Sequence, residues 1–151
     1  MKSLREPGTQ NEIRDRLSRI TPDSPRLWGR MNAHQMICHL ADSFRVVFGE
    51  RPLPTVKTPL PRAIMKFLAL EVPLKWPHGT KTGPDIDQFI GGTRPTEFVA
   101  DVTALRALFE RFLTDPRAIV PQHPFFGPMS DRDWLRWGYL HMDHHLRQFG
   151  K

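Results

Sequence analysis

Apolar residues recur along most of this chain at spacings of three and four, the period of a helix with one buried face. The first run is Asn11 to Ile20, where Ile13, Leu17 and Ile20 stand between polar residues. Thr21-Pro22 and Ser24-Pro25 stop it, since proline lacks an amide proton and disfavours a helical residue before it. A second helix starts near Asn32, which has capping-box spacing with Gln35. Met36, Ile37, Leu40, Ala41, Phe44, Val47 and Phe48 give it a broad apolar stripe, and Gly49 terminates it. The pattern then breaks. Pro52, Pro54, Pro59 and Pro61 predict an extended or turning stretch, and Ala63 to Val72 a short apolar helix. Trp76 to Pro95 is rich in Gly, Pro, Thr and Asp and reads as a long loop, which in a compact domain is often functional. Thr96 to Leu113 is a long helix faced by Val99, Val102, Leu105, Leu108, Phe109 and Phe112, ended by Asp115-Pro116. After a rigid connector over Pro121 to Pro128, Ser130 and Asp133 cap a last helix, Asp131 suits its positive end, and Gly150 closes it. No strand pattern is legible. Four main helices predict an all-α four-helix bundle, a single domain over 1–151, with a long, partly irregular crossover between the second and third main helices.

Composition bounds the class. Apolar residues are 39% and charged residues 25% of the 151, ordinary for a globular domain and unlike a disordered chain. The net charge is +6, but the basic residues are scattered. The densest patch, Arg14, Arg16, Arg19, Arg26 and Arg30, has little aromatic interleaving, so it reads as solvated surface ahead of a nucleic-acid interface. The single cysteine, Cys38, excludes an internal disulfide and a CxxC motif, and reads as a small buried hydrophobe. The first ten residues lack the apolar core of a signal peptide, and the strongest apolar stretch, around Phe67 to Leu70, is too short to span a bilayer. A cytoplasmic protein without a membrane partner is expected.

The histidines carry the candidate chemistry. On the last helix, Leu135, Tyr139, Met142, Leu146 and Phe149 make one apolar stripe; Trp134, Gly138, His141, His145 and Gln148 make the next. His141 and His145 therefore stand one turn apart at the edge of the buried face, where both rings can reach one ion. Helical side chains lean toward the N-terminus, so Gly138 is expected to leave open space beside His141. His144 lies about 160° from Leu146 and is expected to face solvent. His39, in a row with Met36, Ser43 and Val46 on the second helix, is a possible third ligand. Three imidazoles from two helices would leave coordination positions open, as catalytic sites do. The bland reading is histidines hydrogen-bonded at the bundle surface. Met142 follows His141, so this is not the HExxH pattern.

At these residues a resemblance enters. Met31-Asn-Ala-His-Gln-Met-Ile-Cys-His-Leu-Ala-Asp resembles the second helix of the DinB/YfiT-like superfamily. The ending His141-Met-Asp-His-His-Leu-Arg-Gln-Phe-Gly resembles its C-terminal HxxxHxxQ motif, and His123-Pro-Phe-Phe-Gly-Pro leading into Trp134 is similar to a mostly uncharacterised bacterial branch. The resemblance runs from about Trp28 to the C-terminus. It implies a four-helix bundle with a long crossover, often a homodimer, holding a divalent metal through three histidines, here His39, His141 and His145. Nickel or zinc is typical; iron also suits imidazoles. Some members are S-transferases or isomerases that use a low-molecular-weight thiol, others are named as hydrolases, and the founding ones are named for induction by DNA damage.

Further residues can support such a site. Gln148 can hydrogen-bond a ligand or hold a histidine, and Asp42 can do the same for His39 or act as a base. His123 can contact substrate or stabilise its turn. His78 can cover the mouth or stay solvated, and His34 reads as an outer-face or capping residue. Trp134, Trp137 and Tyr139 read as packing. The leading expectation is a metal-dependent transferase or hydrolase acting on a small molecule. A non-catalytic metal- or ligand-binding bundle is the alternative, with nucleic-acid binding behind it.

Overall fold

Two helix starts written in the sequence are formed by their side chains. Asn32 accepts from the Gln35 amide while the Gln35 side chain accepts from the Asn32 amide, and Ser130 and Asp133 do the same. Each pair satisfies amides that a helix start leaves open. The computed structural model describes residues 1–79 and 83–151. It is mostly helical: α1 (Pro7–Ser18), α2 (Ala33–Val47), α3 (Arg62–Leu70), α4 (Phe98–Thr114) and α5 (Asp131–Gln148). A short antiparallel ladder, β1 (Gln122–His123) with β2 (Gly127–Pro128), sets His123 opposite Gly127. The sequence showed no strand there because two-residue strands carry no alternation to detect.

Other boundaries also moved. α1 begins at Pro7, not Asn11, because proline at the first helical position needs no amide partner; Thr9, Ile13 and Leu17 form its buried face. The Glu97 carboxylate accepts from the Val99 and Ala100 amides, so α4 starts at Phe98. Of the loop expected over 76–95, residues 80–82 lie outside the described residues, and Pro84–Ile86 form one 3-10 turn.

α2 packs most extensively on α4, while α1 and α3 lie on α5. The core is one contiguous cluster. Phe44 sits between Phe109, Phe112 and Trp137 at ring distances of 6.0, 5.2 and 6.3 Å. Burying each such ring stabilises the fold by about 1.5–3 kcal/mol. Gly138 belongs to this core rather than to an open cavity. A Cβ there would stand 2.7 Å from Phe112 and 2.9 Å from Leu4, so the space expected beside His141 is filled by those two side chains. The glycine is there for close packing of helices.

α3 is more exposed. Only Leu70 is buried, and Ile64, Phe67 and Leu68 face outward. The irregular connection from α2 to α4 is fastened instead through Asp42 on α2. Its buried carboxylate accepts from Arg45, Arg51, Gln88, and both the amide and hydroxyl of Thr93. Three of the five arginines of the basic patch are in ion pairs: Arg14 with Glu110, Arg16 with Glu12 and Asp143, and Arg19 with Asp15. Among the described residues no helix is long and apolar enough to cross a membrane.

Candidate metal centre

Three imidazoles converge where α2 faces α5. His39 lies mid-α2 and His141 and His145 one turn apart on α5, with ring-centre distances of 5.4 Å (His39–His141), 4.7 Å (His39–His145) and 4.9 Å (His141–His145). One nitrogen from each ring lies within 4.8 Å of the other two. Such atoms sit within about 2.8 Å of a common centre, against a metal–nitrogen bond of ~2.1 Å, so small ring rotations bring all three to bonding distance.

The surrounding hydrogen bonds fix which nitrogens are free. The Nδ1 of His39 donates to the Ile86 carbonyl at 3.1 Å. Gln148 donates its Nε2 to the Trp28 carbonyl at 2.9 Å, which leaves its Oε1 to accept from the Nδ1 of His145 at 3.1 Å. With Nδ1 protonated on both rings, each Nε2 keeps a bare lone pair. This is the outer hydrogen-bonding that orients histidine ligands around metals. His141 is held by ring packing instead, its ring 4.9 Å from Trp137 and 6.2 Å from Trp76, both tilted. Burial pushes the pKa of His39 down, and burial plus the neighbouring imidazoles push His141 and His145 well below the usual value. The rings are therefore neutral and ready to ligate. The group His39, His141 and His145 can hold a metal ion, and its donors suit a divalent one.

The other expected site residues fall in different places. Gln148 supports His145 directly and also pins the Trp28 turn, where Gly29 has φ +81° and a Cβ would lie 2.3 Å from the Gln148 amide nitrogen. Asp42 has both carboxylate oxygens taken by donors, most of them from the crossover. His123 holds its own turn: Nδ1 accepts from the Phe125 and Phe126 amides, and the ring packs on Phe126, Trp134 and Trp137. Burial lowers its pKa to about 4.

His144 does not face solvent. It is 8% exposed, with Trp28 at 4.7 Å, Trp76 at 6.1 Å and His145 at 5.1 Å. Helix periodicity placed it opposite Leu146 correctly, but the Trp28 turn and the Trp76–His78 segment fold over that side. His78 stacks on Trp28 at 3.9 Å and is thus part of this cover. Trp28, Trp76 and the Ile86 carbonyl were missed by sequence reasoning, because residues in irregular segments carry no periodic signal. His34 does not cap α2, a role Asn32 takes; its Nε2 pairs with Asp101 at 2.7 Å. Cys38 is buried as expected.

Comparison with the curated proteins and with the solved structures finds no match to this chain. A family model described as the DinB superfamily matches residues 8–149, nearly the whole chain, and the protein belongs to the DinB superfamily.

Proposed function

We propose that this protein is a metal-dependent enzyme acting on a small molecule, with one divalent ion, nickel or zinc before iron, held by His39, His141 and His145. The observation that carries the reading is the convergence of three imidazoles, two of them oriented through Nδ1 by Ile86 and Gln148. An ion held there by these three residues would polarise a bound ligand or lower the pKa of a water or thiol. The protein's own part is to hold the three rings and limit water. Gln148 fixes the His145 ring, Trp137 and Trp76 flank His141, and Trp28 with His78 cover the approach. His123 accepts through Nδ1, so its neutral ring carries the proton on Nε2, and that N–H is the donor we assign to substrate. Asp42 positions His39 by tying the crossover to α2.

Transfer of a thiol to an electrophile and hydrolysis both suit this arrangement. Any attacking thiol comes from a low-molecular-weight cosubstrate. Cys38 cannot serve, because burial and Asp101 push its pKa up to about 12. We read the whole as a single four-helix bundle of α1, α2, α4 and α5, with the segment carrying α3 as its crossover. The exposed Ile64, Phe67 and Leu68 are the surface for a second copy in a homodimer. The test is elemental analysis of protein purified without a histidine tag. Near-stoichiometric divalent metal in the wild type and its loss in His141→Ala are expected. Equal trace metal in both would refute the reading. Given a loaded protein, turnover of an electrophile with and without added thiol separates transferase from hydrolase. Saturable ligand binding with no turnover would favour a non-catalytic binding bundle.

A further inference from the structure

We propose that His34, Cys38 and Asp101 form a second divalent-cation site, independent of the three-histidine centre and suited to a borderline-soft ion such as zinc. His34 and Cys38 are four residues apart on α2, so their side chains share one face. Asp101 stands in the first turn of α4, the helix packed most extensively on α2. One ligand atom from each of the three lies within 4.8 Å of the other two. His34 Nε2 is 2.7 Å and Cys38 Sγ 3.6 Å from the same Asp101 oxygen.

The donor set selects the ion. Imidazole nitrogen, sulfur and carboxylate oxygen are the three ligand types zinc accepts, while magnesium and calcium take oxygen almost alone. A thiolate and a carboxylate also neutralise a dication. The surroundings hold the ligands in place. The Thr96 amide donates to Asp101 at 3.0 Å and its hydroxyl at 3.4 Å, and the His34 ring packs edge-on against Phe98 at 5.2 Å. The site has a dry floor and a wet mouth. Cys38 is 2% exposed, whereas the His34 and Asp101 side chains are 19% and 20% exposed. An ion can therefore enter from solvent and keep a water as fourth ligand.

Positions 38 and 39 point about 100° apart around α2. One helix thus offers Cys38 and His34 toward α4 and His39 toward α5. Without an ion, hydrogen bonds through Asp101 join α2 to the start of α4. With one, the Cys38 thiol proton leaves to solvent, His34 ligates as the neutral ring in place of its hydrogen bond to Asp101, and the ion clamps the two helices.

Cobalt(II) reads the two sites separately. Full-length untagged protein is stripped of metal, kept reduced with a non-thiol reductant, and titrated with cobalt. Two bound equivalents are expected, together with a near-ultraviolet sulfur-to-cobalt charge-transfer band. Only Cys38 can supply that sulfur, because it is the only cysteine in the chain. Cys38→Ser should abolish the band. His34→Ala and Asp101→Asn should each weaken the cobalt affinity of the band by about tenfold or more. His141→Ala should keep the band and lose one equivalent. Wild-type protein that saturates with cobalt and shows no such band overturns the proposal, whether or not the variants fold. Survival of the band at unchanged affinity in both His34→Ala and Asp101→Asn overturns it too. Cobalt bound without the band would leave the three-histidine reading intact, so the two fail separately.

Discussion

The Gln148 side chain links His145 to Trp28, accepting from the imidazole Nδ1 at 3.1 Å and donating to the Trp28 carbonyl at 2.9 Å. It is 2% exposed, so nothing else satisfies these partners when it is removed. Gln148→Ala should destabilise the protein by about 1–3 kcal/mol, the cost of leaving buried polar groups unpaired. It should also weaken divalent-metal affinity by about 10–100-fold, because the His145 ring is no longer oriented. Urea denaturation and competition with a chromophoric chelator measure the two effects.

Asp42 carries the crossover. Its carboxylate is 0% exposed and gathers donors from Arg45, Arg51, Gln88 and Thr93. Asp42→Ala should lower stability by about 2–3 kcal/mol, less than for a fully buried ion pair because both arginines reach solvent. Hydrogen exchange should quicken first at the Thr93 amide, which donates to Asp42 at 2.8 Å. Unchanged exchange there would show that the crossover is held by other contacts.

Gly138→Ala sets two effects against each other. Alanine in a helix interior gains about 1 kcal/mol over glycine. The added Cβ, however, meets Phe112 at 2.7 Å and Leu4 at 2.9 Å, both side chains fully buried. Overpacking of that kind costs about 1–3 kcal/mol. A net lowering of the melting temperature is expected, and a rise would mean that the Leu4 segment yields freely.

His123 makes stability depend on pH. Its folded pKa is lowered to about 4 from an ordinary 6.5. The unfolded chain binds the proton first, so the contribution is whole above about pH 6.5 and is lost as pH falls toward 4. Its full size is on the order of 3 kcal/mol. Other buried histidines share this window, so the measurement is a difference. Stability of His123→Gln should fall less than that of the wild type between pH 7 and 4.5, and parallel curves would contradict the assignment.

Amphipathic spacing and caps are local, and they were legible. The Asn32–Gln35 and Ser130–Asp133 pairs marked two helix starts, and the helix period put His141 and His145 on one edge of α5. His39 could be named as a candidate ligand because it flanks the apolar stripe of α2, which must face a neighbouring helix. What the chain order could not give is which irregular segment lies over which helix face. That was decided by tertiary packing. It buried His144 beneath Trp28 and Trp76, filled the space at Gly138 with Phe112 and Leu4, and paired His34 with Asp101. Periodicity fixes a side chain's angle around its own helix. Whether that direction meets water, a ring or a carboxylate depends on contacts between residues far apart in sequence, and only folding sets those.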